Sequence, residues 1–230
     1  MIPIQDTVRS RSVPLVTWAL ILLNGLVFLY ELALPPEQLK HLIAVLGMVP
    51  ARLGTEPEAY GTLLTCMFLH GNWLHLIGNM WVLYLFGDNV EDRMGPARYL
   101  VFYLVCGLAA GLTHYVTNLG STLPTVGASG AIAGVMAAYL LLFPTARVIT
   151  LVPVFFFPFI FELPAVFFIG LWFVSQLFSG TLSLVSAESY EGVAWWAHVG
   201  GFVAGMVLLP LFKKAPKQYR RYYADEYWPW

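Results

Sequence analysis

The chain has 230 residues and a formal charge of −1, with 59% hydrophobic and only 11% charged residues, against about 25% charged in soluble domains. A mean hydropathy of +0.71, with several apolar runs near the ~20 residues that cross a bilayer core, indicates a polytopic protein lodged in lipid. The near-neutral charge argues against a nucleic-acid partner, and the isolated Cys66 and Cys106 read as buried small hydrophobes rather than a disulfide or metal site.

The polar start, MIPIQDTVRSRSVP, leads into a long span with no small-residue cleavage site. That first span, about Pro14 to Leu34, ends at Pro35-Pro36 and serves as its own targeting signal. In the next loop EQLKHLIAVLGMV has the mixed pattern of an interfacial helix. A second span lies within Gly61 to Phe86, closed by a loop GDNVEDRMGP, and a third runs from about Ala97 to Val116. After the polar linker TNLGSTLPT, a fourth starts near Ser129 and stops before Pro144. The stretch from Val148 to Gly180 is too long for one span, and its first half carries Pro153, Pro158 and Pro164. That half is predicted to lie at the interface as a broken apolar segment, with the fifth span at about Pro164 to Gly180. The sixth runs from about Val193 to Phe212, ahead of the charged, aromatic tail KKAPKQYRRYYADEYWPW.

These elements predict an all-α membrane protein: an N-terminal segment over 1–13, a six-span domain over 14–212 and a tail over 213–230. With the N-terminus inside, ten of the twelve Lys and Arg residues fall on the inner side, and only Lys40 and Arg52 fall outside. Positive charge is retained in the cytoplasm, so both termini are expected there.

Polar side chains within hydrocarbon are costly and mark function. In HGNWLHLIGNMW, His75 and Asn79 lie one helical turn apart and about 40° around, so they share a face; His70 precedes them. A fourth helix of Ser129 to Phe143 covers only about 22 Å, short of the roughly 30 Å core. Its start must therefore be sunk below the outer surface, with the preceding loop dipping after it. Ser129 then sits where free N–H groups and the helix dipole favour negative charge. Gly127 and Gly130 allow close backbone approach there, and Gly130 with Gly134 and Gly201 with Gly205 suit tight helix packing. In WWAHVGGFVAG, His198 is about 9 Å below the outer edge by helical rise, a depth similar to that of His75.

Ser129, His198, His75 and Asn79 thus approach one depth from three spans. A serine with a histidine base is the minimum for nucleophilic acyl transfer. The Ser129 backbone N–H, the Asn79 amide and His75 are candidate donors to an oxyanion. Asp88, Glu91, Asp92 and Glu162 all lie near the inner face, so a Ser-His dyad is expected rather than a triad. Two-aspartate and HExxH metalloprotease chemistry find no residues here, and no metal or organic cofactor is needed. A lone serine or histidine in a span is more often structural, and His41 and His114 are read so. Asn24 and Gln176 are read as interhelical hydrogen bonds. A His-relay transporter stays as an alternative, without an inverted repeat in its favour.

HGNWLHLIGNM, GDNVEDRMG, the GASG at Gly127 to Gly130 and AHVGGFVAG at Ala197 to Gly205 resemble the rhomboid intramembrane serine proteases, in order, from about Pro14 to Phe212. The resemblance implies the six-helix rhomboid fold, Ser129 as nucleophile and His198 as its base. It further implies His75 and Asn79 in an oxyanion hole, with His70 in support beside it. Glu91 and Arg93 match a structural ExR motif that pins the connection between the second and third spans. The resemblance implies as substrates the transmembrane segments of other membrane proteins, cut near small residues. Many members carry an aromatic four residues after the nucleophile, stacked on the catalytic histidine; here that position is Ala133, which leaves the His198 ring without its usual neighbour. Trp172, Phe173 and Phe178 fit a lateral substrate gate, or equally a lipid-facing set. The lean size suits a bacterial or archaeal cytoplasmic membrane, and a catalytically dead relative that binds membrane proteins is the chief alternative.

Overall fold

A computed structural model describes residues 1–154, 157–185 and 193–214. The chain is mostly helical. Strand β1 (Ile2–Asp6) precedes α1 (Leu15–Ala33), which the Pro35-Pro36 pair stops as expected. The short helices α2 (Pro36–Leu46), α3 (Pro50–Leu53) and α4 (Thr62–Thr65) follow, with 3-10 turns at Pro57–Gly61 and Cys66–Phe68. Next come α5 (Trp73–Met94), α6 (Pro96–Thr117) and α7 (Ser129–Leu142). Strands β2 (Arg147–Val154) and β3 (Phe157–Pro164) lead into α8 (Ala165–Val185), and α9 (Trp195–Phe212) comes last among the described residues.

Among the described residues, four helices are long and apolar enough to cross a membrane: α1, α6, α8 and α9. Of the other two predicted spans, α5 carries charges toward its C-terminal end and α7 is short. The predicted tail lies outside the described residues from residue 215 onward, as does 186–192 ahead of α9.

Two expectations need correction. The second predicted span begins later and ends later than the hydropathy suggested. Asn72 caps α5, its side chain accepting the His75 backbone N–H at 2.9 Å. The GDNVEDRM stretch is the last part of α5 rather than a loop, and the break falls at Gly95 (φ 81), where Pro96 opens α6. The second correction concerns the all-α expectation. The proline-broken stretch from residue 147 to 164 is ordered as two antiparallel strands, pairing Val148 with Leu163 and Pro153 with Pro158. Its β-branched and aromatic residues favour a strand, and its prolines lie toward the turn or on the edge strand β3, where a missing N–H is tolerated. The N-terminal segment supplies β1 as the third strand, pairing Ile2 with Leu151.

This sheet closes the end of the bundle where α7 finishes. There the Tyr139 hydroxyl and the Asn89 amide donate to the Asp6 carboxylate at 2.5 and 3.1 Å. Burial pushes the Asp6 carboxyl up to about 6, against the lowering effect of the Tyr139 hydrogen bond. The ExR acid has a different partner from the one implied. Glu91, 1% exposed, accepts the first-turn N–H groups of Val16 and Thr17 and the Thr17 hydroxyl, each at 2.9 Å. It thereby caps the start of α1 with a negative charge. Arg93 lies over the Phe143 ring at 4.9 Å.

Helix α7 is the centre of the bundle, with every residue from Gly130 to Tyr139 buried. Packing against α9 is glycine on glycine. A Cβ at Gly201 would fall on the Gly130 carbonyl, and one at Gly205 on the Gly134 backbone. Helix α6 closes the other side, its Cys106 lying where a Cβ at Gly134 would come within 2.6 Å. Side chains of any size are excluded from these seams, and that draws the starts of α7 and α9 together.

Candidate active site

Three helix starts converge at the end of the bundle opposite the sheet. Ser129 is the first residue of α7, His75 the third of α5 and His198 the fourth of α9. Each of the three lies in the first turn of its helix. No side chain caps α7, so its opening N–H groups are left to the site. The loop before it is held by backbone hydrogen bonds. Met48 and Thr125 exchange backbone hydrogen bonds at 3.0 and 2.7 Å, and the Gly127 N–H donates to the Cys66 carbonyl at 2.9 Å.

His198 Nε2 lies 2.8 Å from Ser129 Oγ, and its Nδ1 lies 2.7 Å from the side-chain oxygen of Gln176 on α8. Gly127 has a φ of 128°, a backbone that favours glycine, and a Cβ there would strike His75 Nε2 at 2.7 Å with Asn79 Nδ2 at 3.6 Å. His75 and Asn79 therefore border the backbone two residues before Ser129. Asn79 Nδ2 lies 3.0 Å from His70 Nε2, and the His70 ring meets the His75 ring edge-on at 5.1 Å. Gly130 packs under the site against Ala110 and Ala197. All seven candidate residues come together.

Several neighbours were not foreseen. Glu31, in the last turn of α1 and 2% exposed, accepts the His70 backbone N–H at 3.2 and 3.4 Å. It is an acid near the site that hydropathy alone hides in an apolar span. His114 is not unpartnered: its ring nitrogens meet Asn118 at 3.2 Å and Thr125 at 3.0 Å, which ties α6 to the loop before α7. Gln176 does bond between helices as read, but its partner is His198 itself. Ala133 is fully buried and offers His198 no ring. Trp172 on α8 takes that place, its ring 5.8 Å from the imidazole at 37°, with Trp195 edge-on at 6.3 Å. Of the aromatic set on α8, Phe173 stacks on Phe202 at 4.2 Å, while Phe178 is 71% exposed.

Two cavities flank the pair. One of about 360 Å³ is lined by His75, His114, Asn118 and Thr125 above the site. One of about 30 Å³ touches Ser129, Gly127, Met67 and Ala197. A larger cavity of about 1010 Å³ lies at the far end beside β1, between Asp6, Trp81 and Asp88, remote from the serine and its histidine.

Comparison with known proteins places these residues in context. The family model of the rhomboid domain matches residues 57–215. The chain is 32% identical over 114 residues to rhomboid-like protein 11, chloroplastic, of Arabidopsis thaliana, covering 50% of this chain and 40% of that protein. It is 35% identical over 88 residues to YdcA of Bacillus subtilis, whose name proposes a rhomboid protease, covering 38% and 44%. It is 36% identical over 90 residues to the mitochondrial presenilin-associated rhomboid-like protein A of Danio rerio, covering 38% and 24%. The chain thus spans less than half the length of these relatives. Their compartments differ, so the expectation of a prokaryotic cytoplasmic membrane draws no support from them. With its domain matched across most of its length and four helices long and apolar enough to cross a membrane, this chain belongs to the rhomboid family.

Proposed function

We propose that this chain is an intramembrane serine endopeptidase that hydrolyses a peptide bond in or near the transmembrane helix of another membrane protein. The observation that carries the reading is the 2.8 Å approach of His198 Nε2 to Ser129 Oγ at an uncapped helix start. Helices α1, α5, α6, α7, α8 and α9 form the six-span domain of 14–212. The charge bias toward the sheet end supports cytoplasmic termini.

In the reaction, His198 takes the Ser129 hydroxyl proton as Oγ attacks the scissile carbonyl carbon. The resulting oxyanion accepts hydrogen bonds from the Ser129 N–H, Asn79 Nδ2 and His75, with His70 holding the Asn79 amide and Gly127 leaving room beside it. His198 then returns the proton to the departing amine, and the C–N bond breaks. Water, reaching Ser129 through the cavity above His75, repeats the sequence on the acyl ester. The void against Ser129 is small, which supports small residues at the scissile bond. The lipid-facing substrate helix must unwind locally, since a helical peptide bond keeps its carbonyl engaged.

The test is cleavage of a reporter transmembrane substrate in liposomes, with wild type beside Ser129→Ala and His198→Ala and a fluorophosphonate probe in parallel. Cleavage and labelling by wild type alone are expected. Equal cleavage by all three would sink the mechanism, and unlabelled Ser129 would favour a non-catalytic binder of membrane proteins.

A further inference from the structure

We propose that Gln176 is a positioning residue that fixes the tautomer and orientation of His198, so that the imidazole is held from α8 rather than from the helix of the nucleophile. The inference rests on the proposed Ser129–His198 pair but adds a third member to it.

The geometry decides which atoms face each other. Gln176 is 5% exposed on α8, one helical turn after Trp172. Its Nε2 lies 3.3 Å from the Trp172 carbonyl and 3.0 Å from Ser175 Oγ. The Ser175 hydroxyl is itself donated to the Trp172 carbonyl at 2.6 Å, so its oxygen is free to accept. Both neighbours of that end of the amide are acceptors, and only the NH₂ satisfies them. The other end, Oε1, must then face His198 Nδ1 at 2.7 Å. An amide oxygen cannot donate, so Nδ1 carries the proton. The lone pair is left on Nε2, where the Ser129 hydroxyl lies. A histidine in the opposite tautomer would present N–H to Ser129 and could not act as its base.

Position follows as well as protonation. Trp172 sits against one face of the imidazole from the same helix turn that presents Gln176. Together they supply a hydrogen bond and a ring, where Ala133 supplies neither. The amide also does this without charge. A carboxylate in its place would have to be ionised within the bundle, at a cost that a neutral acceptor avoids.

The tests use the whole protein in detergent micelles or liposomes, with Gln176→Met, which keeps volume and loses the acceptor, and a thermal melt to check that it folds. Nitrogen-15 shifts of histidine-labelled protein, assigned by difference with His198→Ala, report the tautomer without need of activity. Wild type is expected to show the Nδ1–H form, and Gln176→Met a mixture. On a reporter transmembrane substrate, Gln176→Met is expected to lower kcat by about 10–100-fold, the range seen when the partner orienting a functional histidine is lost, with KM unchanged. If wild type shows the Nε2–H form, or Gln176→Met keeps the wild-type tautomer and kcat, the inference is overturned. A wild type that neither cuts nor labels would overturn the protease reading instead, and the tautomer measurement would still decide the role of Gln176.

Discussion

Adding one methyl group to α9 should separate the proposed nucleophile from its base. In Gly201→Ala the new Cβ falls on the Gly130 carbonyl, with Ala110 Cβ at 3.3 Å on the other side. Backbone cannot rotate away, so α9 must back off. Non-bonded heavy atoms rest at about 3.5–4.0 Å, so the retreat needed is on the order of 1 Å or more. Gly201 is one turn beyond His198 and Gly130 is next to Ser129, so the displacement falls on the 2.8 Å hydrogen bond and takes it beyond its useful range. Two effects compete. Overpacking costs about 1–3 kcal/mol of stability, which a domain with about 5–15 kcal/mol in hand survives as a folded protein. Misplacement by about 1 Å costs roughly 100-fold in rate. The expectation is therefore a folded protein with cleavage and fluorophosphonate labelling both down about 100-fold. Initial rates in liposomes and a thermal melt measure the two separately. Gly25→Ala, whose Cβ meets nothing within 4 Å, should match wild type in both. A Gly201→Ala protein that cleaves within about twofold of wild type would refute the claim that glycine packing sets the pair.

Asn79→Ala should lower kcat by about 100- to 1000-fold, as loss of one oxyanion donor does, with KM held, measured on the same substrate. Gly127→Ala should be impaired at least as much, because it strains a positive-φ backbone and drives a Cβ into His75; labelling rates of folded protein check it. Glu91→Ala leaves buried N–H groups at the start of α1 without an acceptor, each costing about 1–3 kcal/mol, and should lower the thermal midpoint more than Glu91→Gln, which keeps one accepting oxygen. Asp6 is raised in the fold from its ordinary 3.8 to about 6, so the folded state holds its proton more tightly than the unfolded state. Its contribution is then full below 3.8 and fades as pH rises through about 6. Asp6→Asn, which still accepts from Tyr139, should flatten that part of a melting-temperature profile and raise the midpoint at pH 8.

The helices and the site were legible to different degrees, for physical reasons. Spans announce themselves by hydropathy, and α1, α6, α8 and α9 lie close to their predicted bounds. Caps override hydropathy: Asn72 starts α5 after the apolar run has begun, and Gly95 ends it after the charges have started. The strand pair was hidden because prolines and apolar residues alone do not distinguish an irregular segment from an edge strand. Its partner β1 is in a segment read only as polar. Ser129, His198, His75 and Asn79 were legible because polar residues at depth are few. Glu31 and Gln176 were just as polar and just as deep, but a single residue shows no partner until the helices are packed. Trp172 was noted for the face of α8 it occupies, not for the imidazole it covers.

What the packed site shows is a division of labour by charge. Every side chain that would touch the reacting atoms is of a neutral type: a hydroxyl, imidazoles and an amide, with backbone N–H groups beside them. The two buried acids, Glu31 and Glu91, are both set on backbone N–H groups, at His70 and at the start of α1. At both places a carboxyl accepts from oriented N–H dipoles. A carboxylate placed on His198 instead would hold the ring equally well, but at the depth of an apolar bundle it would demand a paired cation or lose its charge. Among the described residues α8 carries no ionisable side chain at all, and the glycine seams between α7 and α9 leave no room for a carboxylate at Gly130, Gly134, Gly201 or Gly205. An amide on α8 is the remaining way to orient a base without burying a charge, and it makes the position of α8 part of the site's geometry.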